Sequence, residues 1–321
     1  MATDCSDAAL SPGVALVTGA AGIVGPGIVQ SLREGGWQVA AADLSMEQFE
    51  AYRKLFRKPH PGSSLFAADL SRRDECFRLV EEVRSRLGPI RLLVHAATGH
   101  CRRVKLPFDR FDESTAHAVF DVDLLGGLFL VQAAVEQLSQ QQGLVIQFSS
   151  VRTEEFPVGS ALYSSVKAAV ETFTQALAVE LSPHNVRVNA IRIGSIPEAE
   201  FLRKALAPLP DELARELLEE VMASYVEDSP EPSLTGRAGT PADAGNLVAF
   251  LASDAATFIN GAVIPLDGAY HSARRRLVTP PAGPLKQLRR WRTAPQECVR
   301  EWLEARKAPA STEALAPVSI S

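Results

Sequence analysis

Short apolar runs alternate with longer amphipathic stretches from Val14 to about Leu266. The runs at 14–18 (VALVT), 38–42 (QVAAA), 64–68, 91–96 (RLLVHA), 143–149 (GLVIQFS), 186–192 (VRVNAIR) and 262–266 predict strands. The stretches near 25–35, 46–56, 72–87, 112–140, 161–182 and 241–253 predict helices between them. Continuous Val/Leu/Ile runs belong to strands buried on both faces of a parallel sheet, where helices supply the cover. Alternation of this kind predicts an α/β fold, a doubly wound parallel sheet of about seven strands flanked by helices.

Two stretches break the rhythm. At about 196–236 a helical segment, DELARELLEEVMASYV, stands between proline-containing connections. Beyond Tyr270 the periodicity stops, and Pro280, Pro281, Pro284 and Pro295 with arginine clusters predict a weakly ordered extension over 271–321. The expected organisation is one domain over 12–270 followed by that C-terminal extension.

The chain is long enough for a substantial core, at 321 residues and 46% hydrophobic. Residues 271–321 carry 10 Lys and Arg against 4 Asp and Glu, whereas residues 1–270 carry 23 against 34. The acidic main body argues against nucleic acid as its principal ligand, since phosphate binding needs clustered positive charge. The basic tail, with Arg289-Arg290-Trp291-Arg292, reads as a solvated extension or as a contact for an anionic surface. No membrane span is expected, because no run reaches the ~18 uncharged apolar residues that one needs. The opening MATDCSDAALSPG lacks the basic and apolar regions of a signal peptide. Cys5, Cys76, Cys101 and Cys298 are scattered, without metal or redox spacing, and read as free thiols of a reducing compartment, the cytoplasm.

The first strand runs into Thr18-Gly19-Ala20-Ala21-Gly22-Ile23-Val24-Gly25-Pro26-Gly27 and then a helix. Glycines between a strand and a helix let the backbone approach a pyrophosphate, and the helix N-terminus offers it unpaired N–H groups. The second strand ends at Asp43, 24 residues after Gly19. A carboxylate there accepts hydrogen bonds from an adenosine ribose and repels a 2′-phosphate, which favours NAD over NADP. No arginine follows immediately to reverse that preference.

Ser149-Ser150 closes the fifth strand, and Tyr163 and Lys167, at i and i+4, share a face of the next helix. A phenol of pKa ~10 is a poor base at neutral pH, and an adjacent ammonium stabilises its phenolate. Ser150 is placed to donate to a substrate oxygen that gains alkoxide character.

Together these features resemble the short-chain dehydrogenase/reductase family, a Rossmann-type fold, over about residues 12–268. Ser150 stands 13 residues before Tyr163, the family's usual separation. Val186-Arg187-Val188-Asn189-Ala190-Ile191 with Gly194, Gly236-Arg237 with Thr240-Pro241, and FLASDAATFINGAVIPLDG also match it in order. The resemblance implies a catalytic set of Ser150, Tyr163, Lys167 and Asp123. It implies a nucleotide-facing set of Gly19, Gly22, Val24, Gly25, Asp43, Asp69, Leu70, Ala97, Tyr163, Lys167 and Ile196. It also makes 196–236 a substrate lid, in whose helix Leu213, Leu217, Leu218, Val221 and Tyr225 form one apolar face.

Three departures from the family pattern stand out. Ile23 occupies the middle glycine of the usual loop, although Thr-Gly-x-x-Gly-x-x-Gly is satisfied. His95-Ala96-Ala97-Thr98 replaces Asn-Asn-Ala-Gly, and His95 reads either as a proton relay or as a hydrogen-bonded structural residue. Asp123 replaces the tetrad asparagine, keeps an acceptor for a water beside Lys167, and adds negative charge that opposes a phenolate at Tyr163. A slower reaction or a higher pH optimum is expected from it.

The reading that results is an NAD-dependent oxidoreductase interconverting a secondary alcohol and a ketone, with Tyr163 as general acid/base. Its alternatives are a nucleotide-binding sensor or scaffold of the same fold, and an NADP-dependent carbonyl reductase. Glu154 and Glu155, just past Ser150, face either a hydroxyl-rich or cationic substrate or solvent. A homodimer or homotetramer through the 112–140 and 161–182 helices is implied by the resemblance. No metal site is expected.

Overall fold

The strands form where the apolar runs predict them: β1 (Val14–Thr18), β2 (Gln38–Asp43), β3 (Ser64–Ala67), β4 (Ile90–His95), β5 (Leu144–Ser150), β6 (Arg187–Ile193) and β7 (Val263–Leu266). These belong to a computed structural model that describes residues 12–50, 64–99, 108–156, 158–194, 196 and 239–270, with isolated positions between 209 and 304. All seven strands pair in parallel in the order β3-β2-β1-β4-β5-β6-β7. The order reverses between β1 and β4, and a crevice opens at the carboxyl ends of strands on either side of such a switch point.

Helices α1 (Gly25–Glu34), α2 (Arg73–Leu87), α3 (Glu113–Phe120), α4 (Gly127–Gln140), α5 (Ala161–Leu181) and α6 (Pro241–Leu251) cover the two faces. The alternating side chains of β1 show why both faces are apolar. Ala15 and Val17 join a cluster with Ile28, Leu32, Val248 and Leu251 of α1 and α6. Val14 and Leu16 join another with Leu79 and Val83 of α2 and Leu130 and Leu138 of α4. Burying an aliphatic side chain of this size contributes about 1.5–3 kcal/mol.

Side-chain amides and guanidinium groups tie down the last strand. Asn189 donates from Nδ2 to the Ile259 carbonyl (2.9 Å) and accepts from the Ala262 N–H (3.0 Å). Arg187 donates to the carbonyls of Leu251, Ala256 and Ile259.

The expected single helix over 112–140 is interrupted. A π-helical turn, Asp121–Gly126, separates α3 from α4. A turn of this type accommodates one extra residue, and here it carries Asp123, 1% exposed, into the interior. Among the described residues, Glu113–Gln140 is long and apolar enough to cross a membrane by length and composition. The inward face of α4 is part of the core described above.

The chain divides into two compact units, Met1–Pro197 with Glu231–Pro280, and Glu198–Pro230 with Pro281–Ser321. The sheet and every candidate site residue belong to the first. In the second, positions 212–213 and 216–217 are helical and Leu217 is buried. Most of the expected lid and the residues of the 271–321 tail other than 297, 300–301 and 304 lie outside the described residues.

Candidate active site

The glycine loop leaves β1 at the switch point. Gly19 has φ +68°, and a Cβ there would lie 2.6 Å from the Ala97 backbone at the end of β4, so only glycine fits. A Cβ on Gly25 would strike the Gly19 carbonyl and the Ala20 backbone. At Gly22 the same construction meets only the Gly19 oxygen, at 3.0 Å. The backbone therefore depends most on Gly19 and Gly25. Ile23, half-buried, packs with Val24 against the core, and this is how the loop accommodates the missing glycine.

Helix α1 opens at Gly25 with no side chain capping its first N–H groups. The loop and that uncapped end form a backbone cradle with the character of a pyrophosphate site, and the residues present fit a dinucleotide. Asp43 supports the cradle: its Oδ2 accepts from the Ala21 N–H (2.9 Å) and its Oδ1 from the Leu44 N–H (2.8 Å). A carboxylate oxygen accepts more than one bond, so capacity for ribose hydroxyls remains. Asp69 accepts from the Ser71 N–H and hydroxyl, and Leu70 and Ile196 are buried.

The second half of the site lies where β5 ends and α5 begins. Ser150 is 5% exposed, and its Oγ accepts the Arg152 N–H at 3.3 Å. Tyr163 packs against the cluster of Val119 and Val166. Lys167 is buried, with its Nζ 5.8 Å from the centre of the Tyr163 ring. Its ammonium donates to the Phe148 carbonyl (3.1 Å) and pairs with Asp123 Oδ1 at 2.7 Å.

Asp123 also accepts from Thr98 Oγ1 (2.8 Å) and the Gly99 N–H (2.7 Å). Asp123 thus meets Lys167 directly, as an ion pair. Burial disfavours charge on Asp123, but the Lys167 ammonium, aided by the donors from Lys167, Gly99 and Thr98, outweighs it. Together they hold the carboxyl below the usual carboxylate range. The pair brings a full negative charge beside the ammonium that faces Tyr163.

His95, fully within the sheet, has a structural part. Its Nε2–H donates to the Val122 carbonyl (3.1 Å), which leaves Nδ1 to accept from the Thr18 hydroxyl (2.9 Å). In that arrangement the ring is neutral, since an Nδ1 that accepts carries no proton. Burial, and then the Lys167 ammonium, push its pKa down to about 4. Between about pH 6.5 and 4 the unfolded chain binds a proton here that the folded chain refuses, so stability falls as the pH drops through that window. The expected loss is on the order of 3 kcal/mol at the acid end, absent from a His95→Gln variant. Urea unfolding of both proteins at intervals from pH 7 to 4 measures it, and equal slopes would remove His95 as the cause.

Of the two acids past Ser150, Glu154 is exposed to solvent, as one of the two expectations had it, and Glu155 is buried. Glu154 pairs with Arg192 of β6. Glu155, 6% exposed, accepts from Arg152 (3.1 Å) and from the Tyr270 hydroxyl (3.2 Å), 115 residues away. Arg192 and its second partner, Glu171 of α5, were not singled out from the sequence. An arginine within the buried run VNAIRI was the available signal, since a charge there requires a partner.

The chain is similar to known proteins over most of its length. A family profile described as enoyl-(acyl carrier protein) reductase matches residues 19–271. A diacetyl reductase [(S)-acetoin forming] of Staphylococcus epidermidis is 29% identical, covering 79% of this chain and 96% of its own length. The 3-oxoacyl-[acyl-carrier-protein] reductase FabG of Staphylococcus aureus is 32% identical, covering 80% and 97%. The crystal structure of a putative short-chain alcohol dehydrogenase from Sinorhizobium meliloti 1021 superposes with a TM-score of 0.65 at 28% identity, over 82% of this chain and 98% of that one.

Proposed function

The chain belongs to the short-chain dehydrogenase/reductase family of oxidoreductases, and we propose that it interconverts a secondary alcohol and a ketone with NAD, Tyr163 carrying the proton. The observation that carries this reading is the buried Lys167 ammonium 5.8 Å from the Tyr163 ring, on the helix that follows Ser150. A nicotinamide dinucleotide, when bound, supplies the hydride acceptor or donor. The rest falls to the chain's own residues.

Lys167 lowers the cost of a phenolate at Tyr163 by its charge. Tyr163 then takes the proton from an alcohol, or returns it to a ketone oxygen. Ser150, at the end of β5, donates to the same oxygen and stabilises its developing charge. The glycine cradle and Asp43 hold the nucleotide, with Asp43 repelling a 2′-phosphate. The relatives named above are both reductases of carbonyl compounds, which supports a neutral ketone or its alcohol as the small-molecule substrate. Exposed Leu125 and Val179 on the flanking helices suit a homodimer or homotetramer.

Titration with NADH and NADPH, read by energy transfer from Trp37 and the other tryptophans, is the primary test. NADH is expected to bind at least about tenfold more tightly, and Asp43→Asn to narrow the gap, because a 2′-phosphate opposed to a carboxylate costs on the order of 1 kcal/mol or more. Equal or tighter NADPH binding would turn the reading to an NADP-dependent carbonyl reductase. The sensor or scaffold alternative draws support from the Asp123–Lys167 pair, which restrains the phenolate. NADH binding with no Tyr163-dependent turnover across a panel of ketones and alcohols would decide for it.

A further inference from the structure

Among the described residues the Ser150 hydroxyl has one long bond, accepting from the Arg152 N–H at 3.3 Å, whereas the residues on both sides of it are tied to one carboxylate. Glu171 Oε1 accepts from Ser149 Oγ at 2.6 Å, the residue before Ser150. The same oxygen lies 3.2 Å from Thr153 Oγ1, on the 3-10 turn that follows, and that hydroxyl shares its one proton between this carboxylate and the Ser150 carbonyl, at 3.0 Å. The carboxylate is itself oriented by Arg192, whose Nε donates to Oε1 (2.8 Å) and whose terminal nitrogen donates to Oε2 (2.7 Å).

Arg192 is the cross-strand partner of Ser149 in the β5–β6 register, and its other terminal nitrogen holds Glu154 at the end of the turn. Tyr163, Lys167 and Glu171 recur at intervals of four along α5 and so share a face. The turn bearing Ser150 and the stripe bearing Tyr163 are therefore joined one helical turn beyond the ammonium. A bidentate guanidinium–carboxylate pair fixes direction as well as distance, which a lysine in the same place does not.

We propose that Glu171, oriented by Arg192, is a positioning residue that sets Ser150 in register with Tyr163. The proposal rests on the reaction assigned above, and goes beyond it in naming what holds the serine. Neither Glu171 nor Arg192 touches the reacting atoms. Their effect passes through the main chain of residues 149–153.

The experiment compares Arg192→Ala, Arg192→Lys, Glu171→Gln and Thr153→Val in the full chain, each in the wild-type and the Ser150→Ala background. For Arg192→Ala, kcat on the ketone substrate should fall on the order of ten- to a hundredfold, the scale of a misplaced catalytic group. NADH affinity and the pH profile should hold, since neither the cradle nor Lys167 is touched. Arg192→Lys should recover only part of the loss, and Thr153→Val, the mildest change, should lose severalfold. In the Ser150→Ala background the same substitutions should cost less than about twofold, because the group they position is gone. Equal losses in both backgrounds would overturn the proposal and leave the pair as a sheet brace.

Amide hydrogen exchange, measured with NADH present, reads the clamp without turnover. Arg192→Ala should speed exchange across 150–155 while β5 and α5 stay protected. Unchanged exchange there would also overturn the proposal. Faster exchange in a protein that turns over no ketone or alcohol would uphold the placement of Ser150 and reject the reaction assigned to it.

Discussion

Tyr163→Phe is expected to lower kcat on the order of 10³-fold, with NADH affinity and thermal stability close to wild type. The size follows from what is removed: general acid–base transfer contributes about 10²–10⁴-fold, and the phenol oxygen is the proton carrier in the proposed reaction. The specificity follows from packing. The side chain packs against the cluster of Val119 and Val166, so phenylalanine keeps that packing. Substituting Lys167 would give a less readable result, because it leaves the buried Asp123 carboxylate without its ion-pair partner. Breaking such a pair costs about 3–5 kcal/mol, and activity would fall with the fold. Steady-state rates beside a melting curve settle the matter: a phenylalanine variant retaining more than about a tenth of the wild-type rate would remove Tyr163 from the chemistry.

Element positions were legible because burial on both sheet faces writes continuous aliphatic runs, as in LLV of β4 and LVI of β5. The π turn was not, since VFDVDLLGGLFL stays apolar straight through it and reads as one helix. Its trace lies in Asp121 and Asp123 with Gly126-Gly127, which weaken an α-helix locally. Ser150, Tyr163 and Lys167 could be named from spacing. Their surroundings could not, because they depend on contacts far apart in sequence. Asp123 meets a lysine on another helix, and Glu155 meets a tyrosine beyond the last strand. Arg192 and Glu171 are a third such pair: the run VNAIRI shows that Arg192 needs a partner but not which one, since the β5–β6 register sets it beside Ser149 and α5 brings Glu171 to both. The loop shows the opposite case. The substitution of Ile23 was visible, but that its side chain joins the core was set by how the chain turns between Gly19 and Gly25.

Asp123→Asn, which restores the residue found in the resembled family's tetrad, is expected to move the acid limb of the pH–rate profile for alcohol oxidation downward on the order of one pH unit. In the wild type the carboxylate lies 2.7 Å from the ammonium and offsets much of the positive charge that would otherwise favour a phenolate at Tyr163. Without that negative charge the ammonium's field acts less opposed on the Tyr163 oxygen, which favours the phenolate. An opposing effect is present: Lys167 loses its counter-charge while buried, which disfavours the ammonium, although the Phe148 carbonyl still accepts from it. The amide oxygen can replace Oδ1 toward Lys167 and Thr98, which limits that effect. Its NH₂ would then face the Gly99 N–H, donor against donor, and a stability loss of about 1–3 kcal/mol is expected from that lost bond. Stability and pH profile therefore move for separate reasons and are measured separately, by urea unfolding and by kcat/KM from pH 6 to 10. A limb that stays in place would mean that Asp123 does not restrain Tyr163. A limb that moves upward would mean that its charge is what keeps Lys167 protonated, making the carboxylate a support for the phenolate rather than its opponent.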